Sequence, residues 1–177
     1  MEKILLHTCC APCSASIITL LQNYKIVSLW FNPNIYPKTE HLLRYETWQK
    51  YMKLLDIEML EVKADWLDDE SLYEQLWLDN AVNCDKGRCY YCYLKRLEKT
   101  VEIAKKNNIK NFTTSLLSSP YQKHDTIIEI SKKLAQENNL NFVYVDPRKI
   151  FYNGVNSVKK LGLYSQKYCG CKLSIRK

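Results

Sequence analysis

Five short runs of apolar, largely β-branched residues alternate along the chain with segments of helical periodicity. The runs are KILLHT (3–8), KIVSLWF (25–31), IEMLEV (57–62), NFTTSLL (111–117) and NFVYVD (141–146). Strands that are buried on both faces consist of nearly continuous apolar residues, and strand–helix alternation is typical of a parallel sheet covered by helices. We therefore predict an α/β fold with an open, mainly parallel sheet and helices on both of its faces.

The segments between these runs predict helices. SASIITLLQNY follows the first run, and TEHLLRYETWQKYMKLL follows the second with Thr39 as its expected N-cap. CYLKRLEKTVEIAKKNN has an apolar face at helical spacing, and PYQKHDTIIEISKKLAQENN is expected to begin at Ser119 and Pro120. The acidic and aromatic residues 63–90 predict a small helical excursion, and the segment from residue 151 predicts a short helix and a loop that folds back.

Length and composition exclude several classes of protein. The chain has 177 residues, of which 46% are hydrophobic and 25% are charged, and these are values of globular domains. We find no linker, repeat or low-complexity segment, so we expect one domain over residues 1–177. No run approaches 18 apolar residues, and the first residues lack the pattern of a signal peptide. We therefore expect a cytoplasmic protein without a membrane partner.

The eight cysteines fall into three groups, which are Cys9, Cys10 and Cys13, then Cys84, Cys89 and Cys92, and finally Cys169 and Cys171. Disulfides are rare in the cytosol, so metal binding or redox chemistry is the expected use of these thiols. HTCCAPC (7–13) follows the first predicted strand, where ligands bind in open parallel sheets. It has cysteines where a phosphate-binding loop would need glycines, and we interpret it as a metal site.

The cysteine pattern fits zinc or an iron–sulfur cluster, because thiolates bind both. Cys89 and Cys92 have C-x-x-C spacing at the start of a predicted helix, which places both sulfurs on one side of it. Gly170 lets the backbone between Cys169 and Cys171 approach a cofactor. Two structural zinc sites are the alternative. We favour an iron–sulfur cluster, since a chain with an ample core has less need of a structural metal.

The charged residues each allow two interpretations, one functional and one structural. A net charge of +7 suggests an anionic partner, although a lysine-rich surface that only keeps the protein in solution explains it equally well. Arg88 and Arg96 flank the start of the C-x-x-C helix and either bind a phosphate or form surface ion pairs. Asp146 ends the last predicted strand and either faces the same cleft or caps a turn.

The histidines are not expected to bind metal. His7 lies inside the first predicted strand and is expected to be a hydrogen-bonded core residue. His41 and His124 lie on predicted helices and are expected to be solvated. The cysteines therefore remain the candidate ligands.

A set of motifs then identifies a family. HTCCAPC, FNPNIYP with the following EHLLRYE, GRCYYCYLKRL, FTTSLLSSPYQK, DPRK and LGLYSQKYCGC occur in this order. Together they resemble the QueH family of epoxyqueuosine reductases over residues 4–174. The resemblance implies a Rossmann-like fold of the adenine nucleotide alpha hydrolase-like group. It also implies an oxidoreductase that reduces epoxyqueuosine to queuosine at the wobble position of tRNA, the last step of queuosine biosynthesis.

The same resemblance implies the cofactors, which are a 4Fe–4S cluster and an adjacent metal ion, with no use of cobalamin. The family's cysteines match Cys9, Cys10, Cys89, Cys92, Cys169 and Cys171. Cys13 stands where the family has a cysteine or an aspartate, and Cys84 matches no family motif and is expected to be an ordinary buried thiol.

Within this set we predict a division of the ligands. The cluster ligands are expected to be Cys10, Cys89, Cys92 and Cys171. The second metal ion, expected to be iron with zinc as the alternative, is assigned to Cys9, Cys13 and Cys169. This ion would act as a Lewis acid on the epoxide oxygen while the cluster passes electrons. Cys9, Cys13 and Asp146 are the expected catalytic residues, Asp146 as one candidate proton donor.

The implied partners are tRNA carrying epoxyqueuosine and an unidentified electron donor. Arg88 and Arg96 are expected to contact the tRNA backbone and Tyr168 to stack on a base; further phosphate contacts are expected from Lys172, Arg176 and Lys177. Two other functions are weighed. A 4Fe–4S-dependent tRNA thiolation enzyme would need ATP and a glycine-rich loop that HTCCAPC lacks, and a zinc-binding, non-catalytic RNA-binding module would contain no iron.

Overall fold

Parallel strands form the centre of the computed structural model, which describes residues 1–175. The strands are β1 (Lys3–Thr8), β2 (Lys25–Trp30), β3 (Glu58–Glu61), β4 (Asn111–Thr114) and β5 (Asn141–Phe142). They form a five-stranded sheet in the order β3–β2–β1–β4–β5, and all of its strand pairs are parallel. This is the order of the first five strands in a Rossmann sheet. The predicted α/β fold is confirmed.

The helices cover both faces of the sheet. They are α1 (Ala11–Ile18), α2 (Lys38–Leu54), α3 (Asp79–Val82), α4 (Arg88–Lys106), α5 (His124–Asn138) and α6 (Phe151–Lys160). The predicted excursion in residues 63–90 contains a 3-10 turn at Glu70–Leu72, a π-helical turn at Glu74–Leu78 and α3. Further 3-10 turns lie at Ser115–Ser118, Arg148–Ile150 and Lys172–Ser174. Within residues 1–175, no helix is both long enough and apolar enough to span a bilayer.

Successive side chains of β1 pack on opposite faces of the sheet, as expected for a strand. Leu5 packs with Leu97 of α4 and Ile127 of α5 on one face. Ile4 and its neighbours pack with α1 on the other face, where α2 and α6 also lie. The central strands are therefore buried on both faces, and their polar side chains, such as Thr8 and Ser28, are hydrogen-bonded within the core.

Helix α6 lies directly against α1. A β-carbon added to Gly154 of α6 would come within 2.2 Å of the Ser16 Oγ and 2.8 Å of the Ser16 backbone nitrogen. The two helices therefore approach at a distance that only glycine permits. The first turn of α6 is held beside the first turns of α1, at the carboxyl end of β1.

Two strands, β4 and β5, end several residues before the positions that the sequence predicts. The chain leaves β4 after Thr114, whose hydroxyl accepts a hydrogen bond from the Leu116 backbone N–H at 3.2 Å and begins a 3-10 turn. β5 has two residues, because β4 offers it partners only at Asn111 and Phe112. Asp146 therefore lies beyond the sheet. The prediction that it ends the last strand is wrong.

Three helices begin at other residues than predicted. α1 starts at Ala11 because the Cys10 Sγ caps it, accepting from the Cys13 N–H at 3.4 Å. α2 starts before Thr39, since the Lys38 N–H is satisfied by Glu70 from outside the helix at 2.9 Å. α5 starts only at His124, because the Ser119 hydroxyl and carbonyl accept from the Tyr121 and Gln122 N–H groups and form a turn outside the helix.

Candidate metal centre

The carboxyl end of β1 brings three thiols together. Cys9 follows β1, Cys10 caps α1 and Cys13 lies in its first turn. Their Sγ atoms all lie within 4.8 Å of one another, and those of Cys9 and Cys10 are 3.7 Å apart. Sulfurs around a tetrahedral zinc ion with Zn–S bonds of about 2.3 Å are ~3.8 Å apart. The three thiols are therefore spaced to share one metal ion, and residues 1–175 contain no other such group of cysteine, histidine or acidic side chains.

Hydrogen bonds within this group concentrate negative charge on one sulfur. Those from Cys10 and Cys13 hold the pKa of the Cys9 thiol well below its usual range. Burial raises the pKa of Cys10, and hydrogen bonds to Cys10 and Cys9 raise the pKa of Cys13. Cys10 and Cys13 therefore keep their protons at neutral pH, and of the three thiols Cys9 most readily becomes a thiolate anion. The N-terminus of α1 supplies the partial positive charge that favours such an anion.

Metal affinity at these thiols is expected to rise with pH. Because the pKa values of Cys10 and Cys13 are raised, both carry protons at neutral pH, and a bound ion must displace about two of them. Calorimetric titration of the apoprotein with Zn²⁺ in buffers of different ionisation enthalpy measures this release. In Cys13→Asp, whose carboxylate is already ionised, about one proton fewer should be released. A release unchanged by this substitution would contradict the assignment.

The C-x-x-C pair lies at the start of α4, as the sequence predicts. Burial raises the pKa of Cys92 to about 12, although the charge of Arg96 acts in the opposite direction. The charges of Cys169 and Cys171 raise it further. Cys92 and Cys171 pack against the same apolar cluster, which brings the C-terminal loop to the start of α4. The Arg88 Nη1 donates to the Cys171 Sγ at 3.7 Å and joins the start of α4 to that loop.

Arg96 is a buried cation between the two cysteine groups. Its side chain is 2% exposed, and it donates to the Asn32 Oδ1 at 2.7 Å and to the Cys92 Sγ at 3.6 Å. Burial lowers the pKa of Arg96, but the charges of Cys92 and Cys9 raise it, and the net shift is upward. A buried guanidinium has no surface to offer a phosphate. The expectation that Arg96 forms a surface ion pair is therefore wrong. Its burial does not favour a contact with tRNA, although that contact stays a prediction.

The C-terminal loop folds back onto the end of β2, as predicted. The Tyr36 N–H donates to the Gly170 carbonyl at 2.9 Å, and buried Arg44 donates to the carbonyls of Tyr168 and Cys169 at 3.0 and 3.2 Å. Gly170 has a φ of +117°, and an added β-carbon would lie 3.0 Å from Ile35. The loop therefore requires glycine here for both conformation and space, which places its cysteines beside α4.

Comparison with known proteins identifies the family. The family model for epoxyqueuosine reductase QueH matches residues 4–177. The chain belongs to the QueH family. An epoxyqueuosine reductase QueH of Dehalococcoides mccartyi is 33% identical over 174 residues, which are 97% of this chain and 92% of that protein. The QueH protein of Thermotoga maritima is 29% identical over 178 residues, covering 99% of this chain and 91% of its own length.

Similarity to solved structures is weaker and concerns the fold at most. A deacetylase of teicoplanin biosynthesis, solved as a complex, has a TM-score of 0.47 and 10% sequence identity, over 80% of this chain and 65% of that chain. The likeness to QueH proteins therefore rests on the sequence, and the site is described from this chain's own residues.

Two glutamines in the QueH motifs contact the cysteines. The Gln166 Nε2 donates to the Cys10 Sγ at 2.7 Å, and the Gln122 Nε2 donates to the Cys169 Sγ at 3.4 Å. Neither glutamine is among the site residues that the sequence predicts. The available signal was their position inside LGLYSQKYCGC and FTTSLLSSPYQK, because an uncharged side chain in a motif gives no other indication of its role.

The remaining candidate residues of the site differ in solvent exposure and in their contacts. Arg88 is half-buried beside Cys171, and Cys84 is half-buried in the turn before α4. One face of the Tyr168 ring is covered by the Arg44 guanidinium, 4.9 Å from the ring centre. Lys172 pairs with Glu74. Residues 176–177, for which phosphate contacts are predicted, lie outside the part of the chain that the structure describes.

Asp146 is exposed and forms an ion pair with Arg148. Its carboxylate accepts two hydrogen bonds from the Arg148 side chain, at 2.8 and 2.7 Å, and these lower the pKa of Asp146 to about 2. A carboxylate with this pKa carries no proton at neutral pH. The geometry therefore does not favour Asp146 as a proton donor, although its catalytic role stays a prediction.

The histidines are all buried. His7 is a hydrogen-bonded core residue, as predicted, with Nδ1 at 2.8 Å from the Thr114 hydroxyl. The prediction that His41 and His124 are solvated is wrong, since they are 2% and 8% exposed. The ring of His41 packs edge-on against Trp30, and the His124 Nε2 lies 3.1 Å from the Tyr144 hydroxyl. Their helices bury these positions through aromatic partners that sequence spacing does not show.

Buried polar groups without partners adjoin the cysteines. Within residues 1–175, the Arg96 Nε and both side-chain polar atoms of Asn34 form no hydrogen bond. Asn34 lies beside Gly170, with its Nδ2 3.3 Å from where a β-carbon of that glycine would be. Buried donors are almost always paired in native proteins. Unpaired donors next to a set of thiols fit an inorganic group that accepts their hydrogen bonds.

Proposed function

We propose that this protein is an epoxyqueuosine reductase that acts on tRNA, with a 4Fe–4S cluster and an adjacent metal ion and without cobalamin. The observation that carries the proposal is the group formed by Cys9, Cys10 and Cys13 in a chain of the QueH family. Loss of the epoxide oxygen as water consumes two electrons and two protons, so an external reductant must supply the electrons. A tRNA substrate and reduced thiols both favour the cytoplasm as the compartment.

The distances favour a different division of the ligands from the one that the sequence predicts. Cys10 lies with Cys9 and Cys13, and Cys169 is not part of that group. We therefore assign Cys9, Cys10 and Cys13 to the single metal ion. Among the cysteines of the QueH motifs, those left for the cluster are Cys89, Cys92, Cys169 and Cys171. Four thiolates are the usual ligand number of a 4Fe–4S cluster. A three-thiolate site leaves a position for substrate.

When bound, the metal ion supplies Lewis-acid chemistry and the cluster supplies electrons. The chain's own residues hold and orient these groups. Arg96 balances the negative charge of the thiolates, Gln166 and Gln122 fix the positions of single sulfurs, and Arg44 fixes the backbone of the C-terminal loop. Arg88 remains the candidate for a phosphate of the tRNA, since part of its side chain is exposed.

The test is reduction of tRNA that carries epoxyqueuosine, by anaerobically purified protein with dithionite as the electron source. Mass spectrometry of the digested nucleosides is expected to detect loss of one oxygen atom. The protein should contain about five metal ions per chain, of which four are iron. One or two zinc ions with no iron would contradict the proposal, and ATP-dependent incorporation of sulfur would instead identify a thiolation enzyme.

A further inference from the structure

Two exposed tyrosines lie at the rim of the cysteine site and meet there from distant parts of the chain. Tyr121, in the turn between β4 and α5, is 77% exposed, and Tyr152, in the first turn of α6, is 59% exposed. Their hydroxyl groups are 3.0 Å apart. The contact holds the two rings at fixed positions relative to each other while most of their surface stays open to solvent.

Each tyrosine is the sequence neighbour of a residue that touches the site. Gln122 follows Tyr121 and donates to the Cys169 Sγ. Phe151 precedes Tyr152 and packs against Cys10 and Cys13, and its ring centre is 5.2 Å from that of Tyr152. The pair is therefore joined through neighbouring residues to cysteines of both the first motif and the C-terminal loop.

The surroundings of the pair favour an anionic partner. Lys123 and Lys149 are exposed and adjoin the two segments, and neither forms an ion pair within residues 1–175. Asp146 is neutralised by Arg148, which leaves Asp125 as the nearby acidic side chain in the first turn of α5. Exposed aromatic rings beside unpaired lysines match a single-stranded nucleic acid, whose bases stack on rings and whose phosphates attract cations.

We propose that Tyr121 and Tyr152 bind an unpaired base of the tRNA anticodon loop by stacking, next to the nucleotide that enters the cysteine site. This inference rests on the proposed function, because only a loop nucleotide that reacts at the cysteines places its neighbours at this rim. The base stacks on the rings, whereas the hydroxyl groups serve to position them. Lys123 and Lys149 lie beside the phosphates of the same loop.

The experiment measures binding of the metal-loaded protein to an RNA hairpin with an anticodon loop that carries 2-aminopurine beside the wobble position. Tyr121→Ala and Tyr152→Ala should each weaken binding by about 5-fold or more, since stacking on one ring contributes about 1 kcal/mol or more. Both variants should reduce the quenching of 2-aminopurine. Tyr121→Phe and Tyr152→Phe keep the rings and lose only the contact between the two hydroxyl groups, so each should lose less affinity than the matching alanine variant. Leu54→Ala, an exposed apolar position at the end of α2, is the control and should change nothing.

The outcomes separate this inference from the proposed function. Wild-type affinity in the double alanine variant, with the wild-type protein binding the hairpin, would overturn the stacking surface alone. A loss of affinity in the phenylalanine variants equal to that in the alanine variants would also overturn it, because the rings would then not carry the binding. A wild-type protein that binds no hairpin and reduces no epoxyqueuosine would overturn the proposed function itself.

Discussion

Replacement of Cys10 with alanine is expected to abolish epoxide reduction and to leave the visible absorbance of the iron–sulfur cluster in place. Cys10 lies within 4.8 Å of Cys9 and Cys13 and is assigned to the single metal ion. Loss of a residue that only orients a metal ligand reduces affinity or activity by roughly 10–100-fold, so loss of a ligand itself should exceed about 100-fold. Absorbance, metal content and turnover of the anaerobic protein are measured together.

Two further variants make this result specific. Cys89→Ala should lose both the absorbance and the activity, since Cys89 is assigned to the cluster. Cys84→Ala should change neither, because Cys84 lies outside the QueH motifs. A Cys10→Ala protein that lacks the cluster would support the division predicted from the sequence, in which Cys10 binds the cluster and Cys169 binds the metal ion.

Replacement of Arg96 with methionine is expected to lower the free energy of unfolding by about 3 kcal/mol or more, because removing one member of a buried charged interaction leaves its partners uncompensated. The Asn32 Oδ1 would lose its donor, and the thiolates near Arg96 would lose their buried counter-charge. Thermal unfolding followed by circular dichroism should show a midpoint lower by about 6 °C or more for a chain of this length.

The matched control is Arg148→Met, which removes an exposed arginine from its ion pair with Asp146. Exposed pairs contribute about 0–1 kcal/mol, so its midpoint should stay near that of the wild type. Arg96→Lys keeps the charge and should lose less stability than Arg96→Met. Equal midpoints for Arg96→Met and the wild type would show that the guanidinium balances no charge in the site.

The sequence was most informative where a feature is local. β1 has the predicted bounds, since all of its residues after Lys3 are buried between two layers, and the C-x-x-C pair opens a helix as its spacing indicates. The end of β5 could not be predicted, because it depends on where the neighbouring strand turns away. An apolar run continues past that point without any change in its composition.

The sequence predicted that cysteines would meet at the candidate site, but it did not predict the residues around them. Cysteines in motifs indicate metal binding because thiolates are metal ligands. The burial of Arg96 depends on Asn32, which lies 64 positions away in the sequence. A charged residue on an amphipathic helix is ordinarily solvated, so no periodicity distinguishes this arginine from Arg88. Only the fold brings the loop after β2 over α4 and closes the space above the guanidinium.

The contact of α1 with α6 at Gly154 limits which natural variants this chain can tolerate. Cys10 and Cys13 are carried by the first turn of α1, so any widening of the gap between the two helices moves two sulfurs. One methyl group at position 154 would press on both the side chain and the backbone of Ser16. Gly154→Ala is a conservative change on a helix by residue type. It is nevertheless expected to weaken metal retention, although Gly154 is no ligand.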